Sequence, residues 1–178
     1  MVTPVPNVSF HVLDLPVIEG RAEEPVLLDG DRAWSHARLL EEVAAMGGVL
    51  RHLGAQPGTR VRLALGADHD VEAVVAALAT ARLGAVVATE GSAPVVVASE
   101  GSDVEAEQVR LVRGEGVAEP DLDWTVMLRA GRTDPAPCEV LTATAAYSPE
   151  RTVGEQLDVL AAHPAPHQVG DLRALLQA

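Results

Sequence analysis

The residues of this sequence best able to do chemistry are six histidines, one thiol, a few hydroxyls and many carboxylates, and their spacing limits each of them. His163 and His167 flank Pro164 and Pro166, with Asp171 close behind, so two imidazoles and a carboxylate are on offer to a metal ion. A metal site needs a third placed ligand beyond two histidines. The pair therefore reads as exposed loop residues, and no metal ligand is assigned. Ser148, His163 and an acid can be drawn as a hydrolase triad, but no Gly-x-Ser-x-Gly elbow surrounds the serine. Gly66-Ala67-Asp68 precedes a helix as a dinucleotide loop does, yet the three-glycine fingerprint is missing and a plain strand-to-helix turn accounts for it. His69, between Asp68 and Asp70, reads as a helix-start residue. Cys138 is the sole cysteine, which excludes an intramolecular disulfide, and nothing cationic beside it in sequence activates the thiol. No catalytic residue is assigned from these groups.

The elements that would position such groups are organised around residues 56–89. Pro57-Gly58 makes a turn, because proline presets φ and glycine accepts the strained next position. Arg60 to Leu65 alternates charged and apolar residues, as a half-buried strand does. Asp68 and Asp70 are candidate N-caps for a helix whose Val71, Val74, Val75 and Leu78 recur at helical spacing, and Gly84 stops it. Ala85 to Thr89 is a second strand, parallel to the first through a right-handed crossover.

Upstream, residues 1–6 read as a loose end, and Asn7 to Leu15 as a helical turn capped by Asn7 or Ser9. Pro25–Leu28 and Arg32–Trp34 form a hairpin around Asp29-Gly30-Asp31. Ser35 caps a helix with Leu39, Leu40, Val43, Met46, Gly47, Leu50 and Leu53 on its inner face. Downstream come strands at 94–98 and 109–112, a short helix at 122–129, an exposed connection at 130–137 and a strand at 140–147. A helix starting at Thr152 or Pro149 follows, the His163–His167 segment breaks it, and a last helix spans 169–176. The fold class is α/β, a mostly parallel sheet flanked by helices, and the 178 residues make one domain.

Composition narrows the function classes. A net charge of −13 disfavours nucleic acid and anionic membranes, which present phosphates. All thirteen basic residues are arginine, with no lysine. Aromatic residues are 2% of the chain (Phe10, Trp34, Trp124 and Tyr147), few for gripping flat rings. No signal peptide or membrane-length apolar run is visible, so a cytoplasmic location is expected.

In order and spacing, much of the chain resembles the acyl-CoA synthetase, or adenylate-forming (AMP-binding), enzyme superfamily. Ala33–Leu40, Leu53–Val61 and Arg82–Val87 carry the resemblance, and Asn7–Asp14 with Glu19-Gly20-Arg21 is most similar to the benzoate-CoA ligase branch. The resemblance implies the first subdomain of the large N-terminal domain over residues 7–147. It also implies that residues 147–155 stand where the family has a glycine-rich phosphate loop, followed at 148–178 by a degenerate loop region and helices. Tyr147, Ser148, Thr152 and Gly154 fall within that loop, the first three in register. Glu150 and Val153 replace glycines, Pro149 removes an N–H donor, and the loop lysine is absent. The later ribose, acyl-pocket and hinge motifs are not found.

The expectation is therefore a truncated, catalytically inactive relative without a cofactor, working by protein binding. Its partner would be a second copy, since a homodimer covers the apolar faces at 71–78 and 86–97, or else a full-length synthetase. The alternatives are one half of a split adenylating enzyme completed in trans, and a binder of acyl or aryl small molecules.

Overall fold

The computed structural model describes residues 5–178. Residues 1–4 of the segment read as a loose end lie outside the described residues. Asn7 caps the first helical segment, its Oδ1 accepting from the N–H groups of Ser9 and Phe10. A π-turn at Phe10–Asp14 runs into α1 (Leu15–Ile18). Strands β1 (Pro25–Asp29) and β2 (Arg32–Ser35) pair antiparallel around the expected Asp-Gly turn. Ser35 caps α2 (His36–His52) by accepting from the Arg38 N–H.

The strand–helix–strand unit forms as expected, from β3 (Arg60–Ala64), α3 (Asp70–Arg82) and β4 (Val86–Ala88), with β3 and β4 parallel. Gly84 ends α3 at φ +67°, a left-handed conformation that an L side chain rarely adopts. The helix start differs from expectation. A 3-10 turn at Ala67–His69 leads directly into α3, and neither Asp68 nor Asp70 caps it, because Asp70 is already helical and its carboxylate is drawn to Arg173.

Next come β5 (Val95–Ser99), β6 (Val109–Arg113), β7 (Leu122–Asp123) and α4 (Trp124–Gly131), the last capped by Asp123. The main sheet is parallel throughout, in the order β4-β3-β5-β6-β7. Helices α5 (Val153–Ala161) and α6 (Val169–Gln177) complete the chain, and β8 (His167–Gln168) joins β1 in parallel. This second sheet, β2-β1-β8, was not expected.

Strand alternation divides the main sheet into two faces. Val61, Leu63, Val95, Val97 and Leu111 share the face toward α3, as the Arg113–Glu72 pair at 3.0 Å shows. Arg60, Arg62, Val96, Ala98 and Arg110 occupy the other face. Because β4 and β5 both flank β3, the 89–94 connection must cross β3. Arg62 donating to the Gly91 carbonyl at 2.8 Å places that crossing on the arginine-bearing face.

Two further expectations change. Residues 140–147 do not form a strand: Val140 is 78% exposed, and the Ala143 and Ala145 carbonyls are taken by the N–H groups of Gly154 and Val153. The 130–137 connection is exposed only in part, since Ala136 is buried with its N–H donating to Ala44 of α2. The apolar faces expected to need a partner are covered within the chain. Residues 73–82 of α3 are all buried, and α6 packs on α3 with Leu172 and Leu176 fully buried.

Candidate functional site

Tyr147 anchors the segment where the phosphate loop was expected. Its carbonyl accepts from Val87 of edge strand β4 at 2.8 Å, and its hydroxyl donates to the Leu176 carbonyl at 2.7 Å. Burial raises the phenol well above its ordinary pKa, so it stays a neutral donor. From there the chain turns tightly. The Tyr147 and Ser148 N–H groups both donate to the Arg151 carbonyl, at 2.9 and 3.1 Å, and Glu150 N–H donates to Ser148 Oγ at 3.3 Å.

Thr152 then opens α5 with a capping box: its Oγ1 accepts from Glu155 N–H at 3.3 Å, and Glu155 accepts from Thr152 N–H at 2.8 Å. These bonds hold the Glu155 carboxyl below the usual range. The next N–H groups are also spent, Val153 on Ala145 O and Gly154 on Ala143 O, each at 2.8 Å. From Tyr147 to Glu155, every N–H except that of Arg151 has a partner inside the chain, and Pro149 has none to give. The side chains follow suit: Thr152 Oγ1 reaches Glu155, and Arg151 donates to Gln156 at 3.1 Å.

Beside this turn, at the carboxyl end of β4, lies a cleft of about 520 Å³. Arg60 supplies its guanidinium, Glu90 and Glu150 its carboxylates, and Ser148 a hydroxyl. All four sequence-predicted residues, Tyr147, Ser148, Thr152 and Gly154, fall in or next to the turn, but only Ser148 lines the cleft. Tyr147 and Gly154 serve packing. A Cβ on Gly154 would press the Ala143 carbonyl at 3.1 Å.

The other candidates disperse. The crevice between β3 and β5, where the strand order reverses and α/β folds commonly bind ligands, is closed. Gly66 N–H donates to Ser99 Oγ at 2.8 Å, while Arg173 reaches from α6 to the carbonyls of Leu65 and Gly66 and to Asp70. His69 sits 4.0 Å from Glu72. Ser148 precedes α5 and His163 follows it, about 13 Å of helix away, so no triad assembles. His163, His167 and Asp171 line a shallow groove between α5 and α6, and no group of three ligating residues among those described is placed to hold a metal. Burial, then the neighbouring His163, lower the His167 pKa. Burial pushes the Cys138 thiol up to about 12, leaving it protonated and unreactive.

The buried Arg82, read from the sequence only as part of a family-like stretch, turns out to be a structural hub. Its guanidinium binds Asp14 through two nitrogens, at 2.8 and 3.1 Å, and the Ala136 carbonyl at 2.7 Å. Asn7 joins the same knot by donating to the carbonyls of Ala81 and Glu139.

Residues 17–92 match the family model described as AMP-binding enzyme. Over that stretch the chain is similar to AMP-binding enzymes. The relationship reaches an uncharacterized protein of Pseudomonas aeruginosa, PA3568, 40% identical over 87 residues that make up 45% of this chain and 13% of that protein. Among solved structures, the anthranilate CoA ligase AuaEII bound to anthranoyl-AMP superposes with a TM-score of 0.65 at 19% identity, over 83% of this chain and 32% of the ligase. An acyl-CoA synthetase of Brucella canis gives 0.61 at 19%, over 80% and 30%. A benzoate CoA ligase of Burkholderia xenovorans LB400 gives 0.54 at 22%, over 78% and 30%. These likenesses show the fold, and the chain spans about a third of each ligase's length. No helix among the described residues is long and apolar enough to cross a membrane.

Proposed function

We propose that this AMP-binding-enzyme relative does not adenylate and works instead by binding protein, in the first place a second copy of itself. The observation that carries the non-adenylating half of this reading is the engagement of the 147–155 turn with its own chain. A helix N-terminus binds phosphate by pointing unpaired N–H groups at it. Here the first-turn donors of α5 are held by Ala143, Ala145 and Thr152, and Glu155 occupies the anion position of the capping box. Glu150 at the cleft adds further repulsion toward a triphosphate. A pentavalent phosphorus needs preorganised positive charge, and in the cleft Arg60 stands against two carboxylates.

Titration calorimetry with Mg-ATP and carboxylate-dependent pyrophosphate exchange test this reading. The expected outcome is no heat of binding and no exchange. Micromolar ATP affinity, about −8 kcal/mol, would overturn it.

A further inference from the structure

The pairing of β8 with β1 is a small joint. β8 is two residues long, and the register Leu27–His167 and Leu28–Gln168 is what joins it to the hairpin. Residues 162–166 before it are exposed throughout, so little apolar burial holds that side. A strand pair this short opens at far lower cost than the core does. His167 is half-buried within it, and no hydrogen bond to its ring offsets the loss of water.

Every neighbour of that ring bears on its charge. His163 shares with it the groove between α5 and α6, where Arg151 also lies. Gln168 is the N-cap of α6 and supplies no side-chain cap, so an imidazolium at position 167 stands at the positive end of the helix dipole. Asp171, in the first turn of α6, is the carboxylate that opposes them. Asp70 of α3 comes close to Gly170 but is paired with Arg173. On β1 the partners are the uncharged Leu27 and Leu28, with Asp29 next along the strand. Burial and His163 outweigh Asp171, and the His167 pKa is lowered.

We propose that His167 is a pH-sensitive latch: neutral, it lets β8 close on β1, and protonated, it releases β8 and the first turn of α6. The rest of α6 stays docked, because Leu172 and Leu176 are fully buried and the Tyr147 hydroxyl holds the Leu176 carbonyl. The released ring takes its proton near the ordinary 6.5, and the latched ring only below it. The latch is therefore fully closed above pH 6.5 and weakens as pH falls toward the lower value of the latched ring. Release uncovers one edge of β1 in acid while the main sheet stays folded.

Hydrogen exchange of the full chain, read by mass spectrometry at about pH 7.5 and about pH 5.5 and corrected for the chemical exchange rate, tests the proposal. Peptides covering 163–170 and 25–29 should lose protection at least about threefold at the lower pH, while those of β3 and β5 keep theirs. His167→Gln should abolish the difference, and His163→Gln should reduce it. Proton NMR of the wild type should place the His167 imidazole midpoint below 6.5. A joint equally protected at both pH values would overturn the proposal, as would an imidazole midpoint at or above 6.5. So would a main sheet that loosens as much as the joint, which is global acid unfolding, or a folded His167→Gln that responds to pH as the wild type does. Should His167→Gln fail to fold, the two wild-type measurements decide.

Discussion

Replacing Arg82 with alanine probes the buried knot that ties the N-terminal segment to α3. The side chains of Arg82 and Asp14 are 7% and 19% exposed, so their pairing takes place largely out of water. Removing one partner of a buried pair costs about 3–5 kcal/mol, because the other charge stays buried and uncompensated. Asp14 keeps some access to water, which argues for the lower half of that range. The Ala136 carbonyl also loses its charged donor, and the two losses overlap rather than add. The expected total is about 3–4 kcal/mol. Urea unfolding followed by the fluorescence of Trp34 and Trp124 reads it directly. With a slope of about 2 kcal/mol per molar, the midpoint should fall by roughly 1.5–2 M. Arg82→Lys keeps the charge but loses the planar fork, and should recover part of the loss. Arg82→Met combined with Asp14→Leu removes both charges together and should be more stable than Arg82→Ala. A loss below about 1 kcal/mol for Arg82→Ala would refute the reasoning, as would a double variant no better than the single.

Other perturbations have equally definite outcomes. Gly131→Ala should destabilise by about 1–3 kcal/mol in thermal or urea unfolding, since a Cβ there runs into the Ala45 carbonyl and the Val49 side chain where α4 crosses α2. Tyr147→Phe should cost about 1–3 kcal/mol in the same assays by leaving the Leu176 carbonyl without its buried donor. Its bonds to Thr152 hold the Glu155 carboxyl below the ordinary value of 4.5, so its contribution is present above that pH and lost as pH falls through the lowered folded value. Wild type and Glu155→Gln should therefore differ in stability at neutral pH and converge in acid. Burial lowers the pKa of His36 from 6.5, so the unfolded chain protonates first as pH drops below 6.5 and the folded state loses ground. A His36→Gln variant should show a shallower decline between pH 7 and 5.

Much of the fold was legible because its local signals agreed with one another. The Asp-Gly hairpin, the Ser35 and Thr152 caps, Gly84 and the valine-rich strands each carry their instruction in a few neighbouring residues. The errors came where distant partners decided. Residues 140–147 have strand-like composition, but their carbonyls were claimed by α5. Asp70 looks like a cap until Arg173, 103 residues away, competes for it. A two-residue strand such as β8 has no periodicity to read, so the second sheet was invisible. For the candidate site, the substitutions at Pro149, Glu150 and Val153 were visible in the sequence. The backbone donors turned inward were not, because a hydrogen bond to Ala143 or Ala145 leaves no mark on composition.

The pairing of β1 with β8 has a consequence for how the chain is made. Leu27 and Leu28 leave the ribosome well before their parallel neighbours His167 and Gln168. At roughly 5–20 residues per second, the 140 positions from Leu27 to His167 take on the order of ten seconds to synthesise. Through that interval one edge of the hairpin has no neighbour, and Leu27, fully buried in the finished fold, waits for α6 to arrive. Factors that shelter nascent apolar strands should therefore matter to this fold, and slowing translation between the codons for β1 and β8 should lower the yield of folded chain.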